Sequence, residues 1–579
     1  MLATDVERST AVYLKPLVVF GVLALVLALR IMHWSSALHS PLSYQPGPDD
    51  DYYQRFGAAV AGGHGADAPE FTFMDPGYGY LVGAVFKIVG TNIFLVYLLQ
   101  ALLDTSTAFG ILLAGRLLGR SREGLIGALL YGLTSTAILF TAALLKETCV
   151  ACYLIWWVVS ALALIRGQRK LAWAAFGVYC GLGIALRSTL LLMACLALLL
   201  PVFEPRSPGR AGGLARERLS KSALLVIGMA LALLPWSIRN LHAYGGISPL
   251  PLNGGIVLHQ AYNADNPRSA MWIPEWVNYS HPTEIWRGYA AEAERRTGHA
   301  LTPPETDHYW RTVALDFIRQ HPAVVLADIG RKALVFLAAS EIPNNRSPVE
   351  ERLFSPVLAW LPPPMPWLIA MGFAGMVLLA RRDPRWLILT APVLMAWLTM
   401  ALFWAEDRFR FHAVPELALF SGVWVGGVAQ SLRSRAYVRS LALVALAGSI
   451  GAASAYLATR FPAPPVRWDH IVWGYVKMGK GEDARVLGER IAEQQPDNAP
   501  ILEALGYVAA TAGQYDRAAT YYERAVALRP RSYLAHHNLA KAYLALGERQ
   551  KAAAEARVAA SLNPSAETEA LLHEAEASP

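Results

Sequence analysis

Long apolar runs alternate with short arginine-rich loops through the first 457 residues, and this alternation restricts the chain to a bundle of membrane-crossing helices. The candidate spans are 14–33, 91–115, 122–141, 143–165, 171–186, 188–203, 222–239, 366–380, 386–404, 411–430 and 437–457, about eleven in all. Between alternate pairs lie Arg116/Arg120/Arg122, Arg166/Arg169/Lys170, Arg206/Arg210/Arg216/Arg218/Lys221, Arg381/Arg382/Arg385 and Arg433/Arg435/Arg439. Basic residues are retained on the cytoplasmic side, so these five loops are expected inside. Residues 34–90, residues 240–365, the Glu406–Phe411 turn and everything after 457 are then expected outside. Ala323–Ser340 is apolar but carries Arg331 and Lys332 at its middle. It reads as interfacial or re-entrant, because a crossing there would reverse every later basic loop. The first run, beginning at Leu14, is longer than a signal-peptide core and reads as a retained span.

Composition agrees with this reading. With 54% hydrophobic and 16% charged residues, the chain is too apolar for an ordinary soluble protein. The net charge of +7 sits in loops between spans, where it reports orientation rather than nucleic-acid binding. Cys149, Cys152, Cys180 and Cys195 lie inside apolar runs and read as small core residues. His259, His281, His299, His308 and His321 lack zinc-ligand spacing, and neither a phosphate-cradling glycine loop nor a Gly-x-Ser-x-Gly elbow is present, so no nucleotide cofactor is expected.

After the proline-rich linker 461–465 the character changes. Gly479, Gly513 and Gly547 recur every 34 residues, each followed by an alanine (Ala484, Ala518, Ala552) and then a proline (Pro496, Pro530, Pro564). Glycine ends one helix, alanine lets a second approach, and proline punctuates the exit. This pattern resembles the tetratricopeptide repeat. Three repeats with a polar capping helix are expected over 466–579, the first weakest because Gly488 occupies a position usually larger.

The first outer loop carries Asp49, Asp50 and Asp51, followed by Tyr52 and Tyr53. Clustered carboxylates repel one another and invite a cation or a proton, although a solvated acidic loop has the same composition. Here the chain resembles the GT-C glycosyltransferases, the integral-membrane superfamily that includes protein O-mannosyltransferases and the aminoarabinose transferase acting on lipid A. The resemblance rests on the acidic motif ending at Tyr53, then on "DPGYGYLVGAVFKIVG", "LLKETCVACYLI" with Glu147, "GLGIALRSTLLLM" with Ser188 in place of the usual proline, "LLPWSIRNLHAYGG", "FIRQHPAVVLADIGRKALVFL" and "DRFRFHAVPELALF".

The resemblance implies an all-helical GT-C membrane domain over 1–460, with outer loops 34–90 and 240–365. It further implies transfer of a sugar, with inversion, from a polyprenyl-phosphate donor to an acceptor hydroxyl on the extracytoplasmic (in bacteria, periplasmic) side of the plasma or inner membrane. The acceptor is a protein or a glycan, which the repeats can recruit. Asp49 is the first candidate for general base and Asp50 the second. Arg187, Arg239, Lys332, Arg408 and Arg410 are the candidates for the carrier phosphate as fixed cations, the four arginines because guanidinium stays charged and binds phosphate in a bidentate way. Asp51, Tyr53, Asp75 and Glu147 are candidates for acceptor or metal contact, and a divalent cation is left open.

Each assignment has a plainer counterpart. Arg187 can pair with a buried acid, Arg239 can cap a helix, Arg408 can pair with Glu406 or Asp407, Lys146 and Glu147 can form an ion pair, and Asp75 can shape the turn before Pro76. Trp272, Trp276, Tyr279, Trp286, Tyr289, Tyr309 and Trp310 can stack on sugars or form an interfacial belt. The competing function is a non-catalytic scaffold of an envelope glycan machine.

Overall fold

The computed structural model describes residues 15–64, 71–167, 169–204, 214–266, 272–274, 276–277, 282–381 and 383–577. Leu14, Arg206, Arg210, Tyr279, His281 and Arg382 lie outside the described residues. Every regular element within them is a helix, as the apolar patterning requires. Each of the eleven stretches is largely helical, with three interruptions, one of them at His412–Ala413 between Asp407–Phe411 and Val414–Arg433. Residues 122–141 break into Ser121–Gly132 and Ser135–Phe140, and 188–203 into Ser188–Leu190, Leu191–Ala197 and Leu200–Val202. Among the described residues five helices are long and apolar enough to cross a membrane: Pro16–Ala37, Ile93–Leu117, Glu147–Leu164, Ala215–Tyr244 and Tyr437–Arg460. The first, fourth and fifth leave most of their apolar surface uncovered, including Leu17, Phe20, Leu231, Leu234, Val438 and Leu441. So broad an apolar surface fits lipid, not water.

Small residues set the helix spacing, as expected where lipid removes the hydrophobic drive for association. A Cβ at Gly228 would collide with the Ala174 carbonyl across the pair Lys170–Leu186 and Leu214–Tyr244. Gly375 meets the Phe420 carbonyl in the same way, between Met365–Ala380 and Val414–Arg433. One buried charge group is fully partnered: Arg30 donates to Asp104 at 2.7 Å and to the Gly132 carbonyl at 2.5 Å, while Tyr131 also donates to Asp104. Cys149, Cys152 and Cys180 are buried as expected, but Cys195 is exposed.

The chain divides into two compact units, Met1–Ser36 with Gly47–Pro464 and Ala37–Pro46 with Pro465–Pro579. In the second unit the helix pairs are Trp468–Lys477 with Gly481–Gln494, Ala499–Thr511 with Tyr515–Leu528, and Tyr533–Ala545 with Arg549–Leu562, followed by the capping helix Ala566–Glu576. Gly479, Gly513 and Gly547 turn each pair with φ between 73° and 79°, a conformation that favours glycine. Ala484, Ala518 and Ala552 are fully buried at the crossings. Gly488 is small because Leu505 fills its place, 2.8 Å from where a Cβ would stand. The short helix Pro41–Tyr44 also belongs to this unit, its Pro41 lying against Gly474.

Candidate active site

The helix Pro48–Ala61 places the three aspartates in its first turn, where carboxylates are favoured by the helix dipole. Successive residues of a helix point about 100° apart, so the three acids diverge. Asp49 lines a cavity of about 280 Å³ together with Asp75, Lys146, Arg187, Ser188, Asn345 and Arg408, and with an apolar wall that includes Phe403, Trp404 and Phe409. Asp50 instead turns inward, almost wholly buried, where its Oδ1 accepts from the Leu144 amide and from Arg346, both at 3.0 Å. Asp51 pairs with Arg55 one turn along its own helix. Tyr53 is core, edge-on to Tyr52 and Tyr78.

The Asp49 carboxylate is asymmetric. Its Oδ2 accepts from Arg408 at 2.6 Å and from Asn345 at 2.7 Å, while its Oδ1 has no hydrogen-bond partner among the described residues. Arg408 is bifunctional, since it also donates to Glu406 at 2.7 Å. Burial works against the Arg408 charge, yet Glu406 and Asp49 raise its pKa above the ordinary guanidinium range. Next to it, burial pushes Asp407 up to about 6 against the pull of Arg410.

Arg187 ends the helix Lys170–Leu186 in an extended conformation, donates to the buried Glu147 at 3.1 Å, and lies 4.8 Å from the Phe409 ring. Both readings of Arg187 thus apply to one side chain, which pairs with an acid and also lines the cavity. Ser188, at the position where the resembled family has proline, donates to Asp75 through its amide at 3.0 Å and through its hydroxyl. Proline would supply neither donor. Asp75 accepts from Lys146 through its other oxygen, so Lys146 pairs with Asp75 and Arg187 takes Glu147.

The remaining cations lie away from the cavity. Arg239 donates to the Phe71 carbonyl at 2.9 Å, pinning the segment that leads into the helix Pro76–Val89. Lys332 is fully buried, pairs with Asp328 at 2.6 Å one helical turn away and packs over the Tyr262 ring. Arg410 is fully buried and binds Asp407 together with the Ala338 and Ser340 carbonyls, bracing the chain after the helix Pro322–Phe336. These three were expected to face phosphate; their reach is spent on backbone and carboxylate partners instead. Trp310 and Tyr289, expected at a sugar or an interface, form a buried core with Ile256, Val277, Ile285 and Ala293.

Asp49, Asp75 and Glu147 are each committed to a protein cation, and among the described residues no group of three or more His, Cys, Asp or Glu side chains is placed to hold a metal. Sequence reasoning missed Lys146 as a cavity residue and missed Asn345 and Arg346 altogether. The polar run Asn344-Asn345-Arg346, following an apolar segment, was the available signal.

Residues 68–238 match the dolichyl-phosphate-mannose-protein mannosyltransferase family, and residues 472–530 and 503–567 match tetratricopeptide repeats. No curated protein matches the chain. Similar solved structures include the Archaeoglobus fulgidus oligosaccharyltransferase in the apo form, at 15% identity over 78% of this chain and 57% of that one, with a TM-score of 0.42. The same enzyme tethered to an acceptor peptide containing the NVT sequon gives 14% identity over 76% and 56%, with a TM-score of 0.39. Archaeal oligosaccharyltransferase AglB from Archaeoglobus fulgidus, in complex with an inhibitory peptide and a dolichol-phosphate, gives 15% over 76% and 57%, with a TM-score of 0.37. The chain thus spans less than two thirds of the length of these proteins. By this family match residues 68–238 are similar to GT-C mannosyltransferases, enzymes of glycosyl transfer, and the C-terminal part is built of tetratricopeptide repeats.

Proposed function

We propose that the protein is an inverting glycosyltransferase that moves a sugar from a polyprenyl-phosphate donor to an acceptor hydroxyl on the extracytoplasmic side of the membrane. The observation that carries this reading is the single cavity that holds Asp49, with one unengaged carboxylate oxygen, beside Arg408, Arg187 and Lys146 and an aromatic wall. The mannosyltransferase-family match over 68–238 supports a lipid-phosphate sugar as donor.

In the proposed reaction the acceptor oxygen bonds to the anomeric carbon as its proton passes to Asp49 Oδ1, and the bond from that carbon to the phosphate oxygen breaks on the opposite face. The lipid phosphate leaves with the bonding electron pair. Arg408 and Arg187 are the guanidinium groups placed to stabilise that developing charge, with Lys146 as a third cation. Phe403, Trp404 and Phe409 supply apolar surface for the first isoprene units or the sugar face. Asp50 becomes a structural partner of Arg346 rather than a second base. The domain limits follow the same reading, with a membrane transferase over 1–460, a linker at 461–465 and repeats over 466–579 that recruit the acceptor.

The test is donor turnover by the purified full chain, using synthetic decaprenyl-phosphate mannose, glucose and arabinose and detecting released decaprenyl phosphate by mass spectrometry. Asp49→Asn should cut turnover by roughly 10²-fold or more, the scale of a lost general base. Wild-type turnover that survives Asp49→Asn unchanged rejects the base assignment. Absence of turnover with every donor rejects the transferase in favour of a scaffold.

A further inference from the structure

Two consecutive residues of one loop hold two consecutive acids of the helix that bears the proposed base. Asn345 donates to Asp49 Oδ2 at 2.7 Å, and Arg346 donates to Asp50 Oδ1 at 3.0 Å. Arg346 is buried and donates in addition to Glu351 at 3.2 Å, while Asp50 also accepts from the Leu144 amide. Arg352, six residues further on, binds Glu341 through both of its terminal nitrogens at 2.8 and 3.1 Å. The loop is therefore tied down on both sides of Asn345 by charged pairs, and its amide has little freedom to drift. Gly47 makes the approach possible: a Cβ there would stand 3.1 Å from Asn345 Oδ1, 3.2 Å from its Cβ and 3.2 Å from Asp50 Oδ2.

Asp49 has two holders of different kinds. Arg408 is a cation that lines the cavity and would be drawn to a phosphate that gains charge as it leaves. Asn345 is neutral and gains far less from the same phosphate. If Arg408 alone fixed Asp49, the base would lose its anchor as the leaving group departs. We propose that Asn345, presented by the Asp50–Arg346–Glu351 lattice, is the positioning residue that keeps Asp49 oriented, with Oδ1 toward the acceptor, while Arg408 turns to the leaving phosphate. The proposal rests on Asp49 being the base and adds to it a residue that acts on Asp49.

A hydrogen bond to a carboxylate favours its charged form, and the Asn345 amide makes one to Asp49. With decaprenyl-phosphate mannose, or whichever of the three donors the wild type turns over, Asn345→Ala should lower kcat roughly tenfold. The donor KM should stay within about twofold, and the acid limb of the kcat/KM profile should move to higher pH. Asn345→Asp, which sets a second carboxylate beside Asp49, should move that limb further in the same direction. Gly47→Ala, which removes no functional group and keeps an ordinary backbone φ of −66°, should reproduce a smaller version by pushing Asn345 away, and it serves where an Asn345 variant fails to fold. An unmoved acid limb in these variants, or an effect confined to donor KM, overturns the proposal. Turnover retained by Asp49→Asn overturns the base reading itself, whereas a dead Asp49→Asn with an unmoved limb in the others sinks only the role of Asn345.

Discussion

Replacing Arg346 by methionine would strand two buried carboxylates, Asp50 and Glu351, without the guanidinium that links them. The side chains of Arg346 and Asp50 are 3% and 2% exposed, so water cannot take over the contacts. Breaking a buried pair from one side costs about 3–5 kcal/mol, because the remaining charge has lost its partner but not its burial. Two features place this site at the lower end. Asp50 keeps the Leu144 amide, and burial already raises the pKa of Glu351 despite the pull of Arg346, so that carboxyl can take up a proton. We therefore expect a loss of about 3 kcal/mol for Arg346→Met. Asp50→Asn with Arg346→Met removes both charges and should recover a coupling of about 2 kcal/mol relative to the sum of the single changes. The assay is a double-mutant cycle on the detergent-solubilised full chain, with unfolding followed by tryptophan fluorescence. Additivity within about 0.5 kcal/mol would refute the claim that these residues act as one buried network.

Two other stability predictions test the packing. His259, with 7% of its surface exposed against Trp310 and Tyr289, has its pKa lowered from 6.5 to about 4, first by burial and then by Arg296. The folded state holds this ring neutral while the unfolded chain protonates it, so stability is full above pH 6.5 and falls as pH drops toward 4, by about 3 kcal/mol in total. His259→Phe should flatten that acid-side loss in thermal melts, and an unchanged slope would argue against a neutral buried ring. Gly228→Leu should cost about 3 kcal/mol or more, since Ala174 and Val178 backbone atoms occupy the space, and it should lower the yield of monodisperse protein. Wild-type melting in that variant would show that the two helices can separate freely.

Much of the architecture was legible because it follows from local, periodic causes. Spans announce themselves by apolar length, and the repeats by glycine, alanine and proline at fixed intervals, each enforced by its own backbone or contact demand: a left-handed φ at Gly513, zero exposure at Ala518. Asp49 and Arg408 were legible as types, a carboxylate and a cation both expected on the outer side. Arg187 likewise carried a signal, as an arginine interrupting apolar sequence.

What the sequence could not rank was which of several similar charges would share one cavity. Arg408 reaches it while Arg410 does not, because two residues along a short helix place their side chains on nearly opposite faces. Asp49 and Asp50 part for the same reason, one to the cavity and one to a buried arginine. Asn345 lies 296 positions from Asp49, and no local period links them. Residue type and hydropathy thus determined the helices, the repeats and the pool of candidate charges. Only the tertiary packing decided which members of that pool meet, since a side chain's partner depends on helix phase and on loops brought together from distant parts of the chain.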